Sequence, residues 1–297
     1  MRHVLEVDDL TRDEQQAVLA LARRPVAEVP KVLAGRGLAL VFEKPSTRTR
    51  NSMEVATIQL GGHPVYITSA EVGLETRETV EDVTRTLACY HAGICARVFT
   101  HHHLERMAAV DLVPVVNLLS DQSHPLQGLA DALTLLQEWG SLEGRVVTYV
   151  GDANNVTRSL ALACGRLGAE IRLACPPGYQ FDETDLDHLR VAGVEIVQAD
   201  RPPDVIPGSD AVYTDVWTSM GQEAEAQQRR VAFEGFTVNE VMFEGAEKAI
   251  FLHCLPAHRG EEVSGEVIDG PRSRVWPQAE NRLHAARGLL AWLHGGG

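Results

Sequence analysis

Lysine is nearly missing from this chain of 297 residues: three stand beside 24 arginines, and these 27 cations face 41 carboxylates. A formal net charge of −14 leaves no basic stripe to displace counterions, which excludes a sequence-independent nucleic-acid binder. No apolar run approaches the roughly 18–20 residues that a membrane helix needs, so a helical spanning protein is excluded as well. Met1-Arg2-His3-Val4-Leu5-Glu6-Val7-Asp8-Asp9 lacks the apolar core of a signal peptide, and a cytoplasmic location is expected. Five cysteines (Cys89, Cys95, Cys164, Cys175, Cys254) form no Cys-x-x-Cys pair and leave an odd count. Reduced thiols are therefore expected rather than disulfides. Low-complexity segments and repeats of about 20–50 residues are also missing, which removes solenoids and arrays.

The length suits about two domains of roughly 150 residues each. Hydrophobic residues make up 44% of the chain, enough for substantial cores. Short apolar runs alternate with segments of helical period, the pattern of an α/β protein with parallel sheets. In the first half the spacing predicts strands over 37–42, 93–99 and 113–118, and helices over 47–60, 79–90 and 126–139. The second half opens with a strand, Arg145-Val146-Val147-Thr148-Tyr149-Val150, leading into a turn at Gly151-Asp152. Further strands are predicted over 170–174, 195–198, 210–216 and 249–254, before a last amphipathic helix over 277–293. The division into two α/β domains is expected in helix 126–139 or in the following Gly140-Ser141-Leu142-Glu143-Gly144 link.

Ligands of open parallel sheets bind beyond the carboxyl ends of the strands, so the residues just past each strand are the candidates. After 37–42 comes Glu43-Lys44-Pro45-Ser46-Thr47-Arg48-Thr49-Arg50. Pro45 disfavours helix at Lys44, and Ser46 or Thr47 can cap the helix that follows. Its free N–H groups and positive end favour an anion, the hydroxyls add donors, and Arg48 supplies a bidentate fork suited to phosphate. Arg97 lies at the end of its own strand, and Ser120-Asp121-Gln122-Ser123-His124-Pro125-Leu126-Gln127 follows the next. In the second half the matching sets are Asp152-Ala153-Asn154-Asn155, Asp215-Val216-Trp217-Thr218-Ser219-Met220-Gly221 and His253-Cys254-Leu255-Pro256.

Taken singly, some of these sets have plain structural readings. His124-Pro125-Leu126-Gln127 reads equally as a turn, Asn154-Asn155 as an Asx turn and cap, and Cys254 as an inert buried thiol. Gly151-Asp152-Ala153-Asn154-Asn155 lacks the Gly-x-Gly-x-x-Gly phosphate turn, which argues against a dinucleotide. His101-His102-His103 is expected to be a solvated loop rather than a zinc site, because adjacent side chains point apart. No metal and no cofactor are expected.

Together the sets resemble a family. Phe42-Glu43-Lys44-Pro45-Ser46-Thr47-Arg48-Thr49-Arg50 resembles the carbamoyl phosphate motif of the aspartate/ornithine carbamoyltransferases, and His124-Pro125-Leu126-Gln127 is similar to their second signature. Asp215-Val216-Trp217-Thr218-Ser219-Met220-Gly221 and His253-Cys254-Leu255-Pro256 resemble the segments that mark the ornithine branch. Asn154-Asn155, the 257–262 segment and Gln278-Ala279-Glu280-Asn281-Arg282 match in the same order, so the likeness covers about 42–290.

The resemblance implies transfer of a carbamoyl group from carbamoyl phosphate to the δ-amine of L-ornithine, a step of arginine biosynthesis. It implies that Ser46, Thr47, Arg48, Thr49, Arg97, His124, Gln127, Cys254, Leu255 and Arg282 hold carbamoyl phosphate. Asn155, Asp215, Ser219 and Met220 would hold ornithine, with Arg48, Arg97, His124, Asp215 and Cys254 serving the chemistry. The implied fold is two parallel-sheet α/β domains, the second Rossmann-like, with the C-terminal helix packed back on the first. Residues 1–138 with 277–297 would bind carbamoyl phosphate and 139–276 ornithine, in trimers or assemblies of trimers. One departure is the 69–78 loop, which lacks the glutamine that family members often place there for a neighbouring subunit. An aspartate enzyme would carry a Pro-Leu-Pro-Arg-type segment, which Cys254-Leu255-Pro256-Ala257 does not supply. Acetylornithine or putrescine as acceptor, or a silent regulatory paralogue, are the alternatives.

Overall fold

The computed structural model describes residues 1–219 and 221–295. The chain divides into two units, Met1–Leu133 with Glu280–Gly297, and Thr134–Ala279. In the first unit, strands β1 (Gly37–Phe42), β2 (His63–Thr68), β3 (Ile94–Arg97) and β4 (Val115–Leu119) form a parallel sheet ordered β2-β1-β3-β4. All six residues of β1 are buried, as a central parallel strand requires. Strand β2 has no counterpart in the sequence reading. It is an edge strand with alternating exposure, and Pro64 is tolerated there because one side of an edge needs no N–H donor.

Helices α1 (Arg12–Arg23), α2 (Thr47–Gln59), α3 (Ser69–Val72), α4 (Val80–Ala88) and α5 (His101–Ala109) belong to the same unit. Helix α5 overturns the expected loop at His101-His102-His103. His101, Leu104 and Met107 share a buried face at helical spacing, while His102 is exposed beside Glu105. His101 Nδ1 instead meets Ser120 Oγ at 2.8 Å, which ties α5 to the turn after β4.

Helix α6 (Pro125–Trp139) leads into the second unit. There β5 (Val146–Val150), β6 (Glu170–Ala174), β7 (Ile196–Ala199), β8 (Ala211–Thr214) and β9 (Ile250–His253) form a second parallel sheet, ordered β7-β6-β5-β8-β9. Helices α7 (Asn155–Gly165), α8 (Glu183–Val191), α9 (Ala226–Ala232) and α10 (Gly265–Ile268) lie between or after its strands. The 200–204 stretch makes only a 3-10 turn, Pro202–Asp204, where a crossover helix would ordinarily sit. Phe233, Phe243 and Phe251 are fully or almost fully buried in the aromatic part of this unit's core.

The last helix, α11 (Val275–His294), returns to the first unit from Glu280 onward. Arg287 is buried there, with Nη2 donating to the carbonyls of Ala22 and Arg24 and Nη1 to Gln59 Oε1. At Gly288 a Cβ would stand 2.5 Å from the Val18 carbonyl, so this glycine allows α11 and α1 to approach backbone to backbone.

Candidate active site

Each sheet contains a switch point, where neighbouring strands send their connections to opposite sides, and ligands collect beyond such points. In the first unit it falls between β1 and β3, and in the second between β5 and β8. The residues past these four strand ends, and past the neighbouring β4 and β9, are the ones marked by the sequence.

Beyond β1, Ser46 is the N-cap of α2, and its hydroxyl accepts from the Thr49 amide at 3.3 Å. No acidic residue occupies the first turn of α2, so the positive helix end is not neutralised from within. Thr47 is exposed and Arg48 half-buried, whereas Thr49 is buried against Arg282. Arg97 ends β3 at a register shift, where Ala96 pairs with Asn117 and Arg97 already with Leu119. Such a bulge re-aims a side chain at the end of a ladder.

His124 and Gln127 follow β4. Their turn is held by Asn117, whose buried amide donates to the carbonyls of Leu5 and Ser123 and to Ser120 Oγ. Arg282 Nη1 donates to Gln127 Oε1 at 2.6 Å and Nη2 to Thr49 Oγ1 at 3.1 Å. Burial pushes the His124 pKa well below the ordinary imidazole value, and the charges of Arg282, Arg97 and Arg48 push it the same way. The first unit thus gathers three guanidiniums, a helix N-terminus and a neutral imidazole. Lys44 joins them at the edge, its ammonium over the Phe99 ring and its pKa lowered by burial and then by Arg97.

In the second unit the two adjacent asparagines divide their duties. Asn154 caps α7, its Oδ1 accepting from the amides of Val156 and Thr157 at 2.9 and 3.2 Å. Asn155 begins the helix and stays half-buried. Past β8, Asp215 is buried, and its Oδ1 accepts from the next amide, Val216, at 2.8 Å. Ligating atoms of Asp215, His253 and Cys254 all lie within 4.8 Å of one another, so carboxylate and thiol stand side by side. Both ring nitrogens of His253 are engaged. Nδ1 accepts from the Leu255 amide at 2.8 Å, and Nε2 faces the buried Glu262 carboxylate at 3.2 Å. This holds the turn in which Leu255 takes a left-handed φ of 59°, a conformation that leucine adopts only when its surroundings impose it. Ser219 is half-buried, its amide donating to Gln222 Oε1, and Met220 lies outside the described residues.

Asn117, Asp131 and Arg229 carry no motif signal, whereas His253 and Glu262 lie in segments that the sequence marked without giving either residue a role. Arg229 pairs with Asp152 at 2.6 Å and donates to the Trp217 carbonyl at 3.0 Å, anchoring Trp217 to the turn after β5. The only hints in the sequence were a polar residue inside a buried strand, as at Asn117, or a charge four residues from a motif residue, as at Asp131.

Comparison with known proteins agrees over the whole length. The carbamoyl-P binding domain of the aspartate/ornithine carbamoyltransferases matches residues 2–137, and the Asp/Orn binding domain matches 143–293. The chain is 44% identical to the anabolic ornithine carbamoyltransferase of Pyrococcus furiosus over 305 residues, covering 99% of this chain and 97% of the relative. It is 49% identical to the ornithine carbamoyltransferase of Thermus thermophilus over 283 residues, covering 94% and 92%. The solved structure of the Pyrococcus furiosus ornithine carbamoyltransferase superposes with a TM-score of 0.94 at 43% identity, covering 99% and 97%. The chain belongs to the aspartate/ornithine carbamoyltransferase family.

Proposed function

We propose that this chain is an ornithine carbamoyltransferase that converts carbamoyl phosphate and L-ornithine to L-citrulline and phosphate, for arginine biosynthesis. One observation carries the reading: buried Arg282 bonds both Thr49 in the first turn of α2 and Gln127 three residues after the buried His124, a site whose other cations are Arg48 and Arg97. A dianionic phosphate is the ligand that such a cluster suits. Residues 1–138 with 277–297 bind carbamoyl phosphate, and 139–276 bind ornithine. Ser46, Thr47, Arg48, Thr49 and Arg97 hold the phosphate, and Arg48, Thr49 and His124 polarise the carbamoyl oxygen. Gln127 and the Leu255 carbonyl accept from the carbamoyl NH₂, with Cys254 and Arg282 lining the same group. Asp215 and Ser219 receive the ornithine ammonium, Asn155 its carboxylate, and Met220 its chain.

In the reaction the neutral δ-amine attacks the carbamoyl carbon. A C–N bond forms, the C–O bond to phosphate breaks, and one amine proton is released. Stabilising oxyanion and leaving phosphate is the main task, and loss of one such donor costs about 2.7–4 kcal/mol of barrier. No redox or metal step is required. The working unit is a cytoplasmic homo-oligomer built on trimers; among the described residues no helix is long and apolar enough to cross a membrane.

A substrate panel tests the assignment. With carbamoyl phosphate in common, ornithine should give product far faster than acetylornithine, putrescine or aspartate. Faster turnover of any other amine, or no turnover of ornithine, overturns it.

A further inference from the structure

Asp131 lies buried on α6, and its role here rests on the carbamoyl phosphate reading above. Gln127 and Asp131 are four residues apart on α6 and therefore share one helix face. Gln127 Nε2 donates to Asp131 Oδ1 at 2.7 Å, and Asp131 is fully buried. On the other side of the amide, Arg282 donates to Gln127 Oε1 at 2.6 Å. The chemistry of these two neighbours fixes which way the amide faces. A carboxylate only accepts and a guanidinium only donates, so the reversed amide would set oxygen against oxygen and N–H against N–H. Oε1 is thereby turned toward the guanidinium of Arg282, which also bonds Thr49, and Nε2 away from it toward α6. Arg282 uses one lone pair of Oε1, and a carbonyl oxygen has two.

We propose that Asp131 is a positioning residue that selects the carbamoyl group by holding the Gln127 amide with its oxygen toward the phosphate-binding cluster. An acyl group carrying N–H donors satisfies the remaining lone pair. The methyl group of acetyl phosphate, an acyl phosphate of nearly the same size, leaves it unmet in a buried place, and such sites reject analogues that lack the donor. In Asp131→Asn an amide faces an amide, each able to donate or accept. Arg282 alone then sets the Gln127 orientation, and the selection is weakened.

Equilibrium binding of carbamoyl phosphate, acetyl phosphate and inorganic phosphate to the intact wild-type and Asp131→Asn proteins tests this. Carbamoyl phosphate should weaken about tenfold. Inorganic phosphate should change by less than about twofold, and acetyl phosphate should hold or gain, so the carbamoyl-to-acetyl ratio falls. Placed in a Gln127→Ala background, Asp131→Asn should have no further effect on that ratio, a result that general loosening of α6 would not give. Parallel weakening of all three ligands, or an undiminished effect without Gln127, overturns the proposal. Asp131→Ser removes the same charge and answers the question if the asparagine variant fails to fold. A wild-type protein that bound acetyl phosphate as tightly as carbamoyl phosphate would remove the reading of Gln127 as an acceptor. One that bound inorganic phosphate but made no citrulline would remove the functional reading itself.

Discussion

Asp215 stands one residue past β8, buried, with one oxygen on the Val216 amide and its carboxylate beside the Cys254 thiol. Two roles are therefore open to the one side chain, and a single substitution separates them. Asp215→Asn keeps an acceptor for Val216 but loses the charge, and a charge-assisted contact is worth about 1.5–3 kcal/mol. Ornithine kcat/KM should fall by about 10- to 100-fold. Carbamoyl phosphate affinity, read by calorimetry, should stay unchanged, because its ligands are proposed chiefly on the first unit. If the carboxylate served only the Val216 amide, thermal stability would move instead and ornithine would not. The sequence made Asp215 a candidate because a polar residue past a parallel strand is exposed to ligand. The same argument could not divide Asn154 from Asn155, since only the conformation shows that Asn154 uses its oxygen on the α7 amides. Asp131 and His253 act by touching other side chains, so no local pattern marks their roles.

Strands with continuous apolar runs, such as β1, were legible because a parallel strand buried on both faces needs nothing else from its sequence. Edge strand β2 was not, because none of its positions is fully buried, two are exposed, and it contains Pro64. Helix α5 was hidden behind three histidines, although Leu104 and Met107 continue the period that His101 begins. The return of α11 to the first unit was expected only from the family resemblance, and its close approach to α1 gives it a physical cause. Gly288 lies against the carbonyl of Val18 and the amide and Cβ of Ala22, with Arg287 capping carbonyls at the end of α1. Backbone cannot move aside as a side chain can. Gly288→Ala should therefore destabilise the protein by about 1–3 kcal/mol, as overpacking does, despite the gain in helix propensity. Denaturant unfolding measures this, and a variant as stable as wild type would show that α11 and α1 adjust freely. The substitution should also raise the KM for carbamoyl phosphate, because α11 carries Arg282 two turns earlier.

At the scale of the whole molecule, pH acts on stability and on turnover through different groups, and the two can be read apart. Burial lowers the His294 pKa to about 4, with the charge of Arg36 adding to it, and His124 is held well below its ordinary value. Unfolded, both return to roughly 6.5. Below that value the unfolded chain binds protons that the folded protein refuses, so stability is full above about pH 6.5 and is lost as pH falls toward 4. Glu262 adds to the loss at lower pH, since His253 and the His258 amide hold its carboxyl below the usual value despite burial. Turnover follows another group. The ornithine δ-amine resembles a lysine, with a free pKa of roughly 10.4, and must be neutral to attack. His124 is already neutral across this range and contributes no limb. Ornithine kcat/KM should therefore climb from about pH 6 to about pH 9, while the melting temperature stays nearly level above about pH 7. His294→Gln separates the two. His294 lies twelve residues beyond Arg282 on α11, about 18 Å along the helix, so it has no part in the chemistry. The variant should lose less stability between about pH 6.5 and 4 and keep the wild-type activity profile. An activity profile that shifted with this variant, or a wild-type profile flat across the neutral range, would contradict the separation of the two titrations.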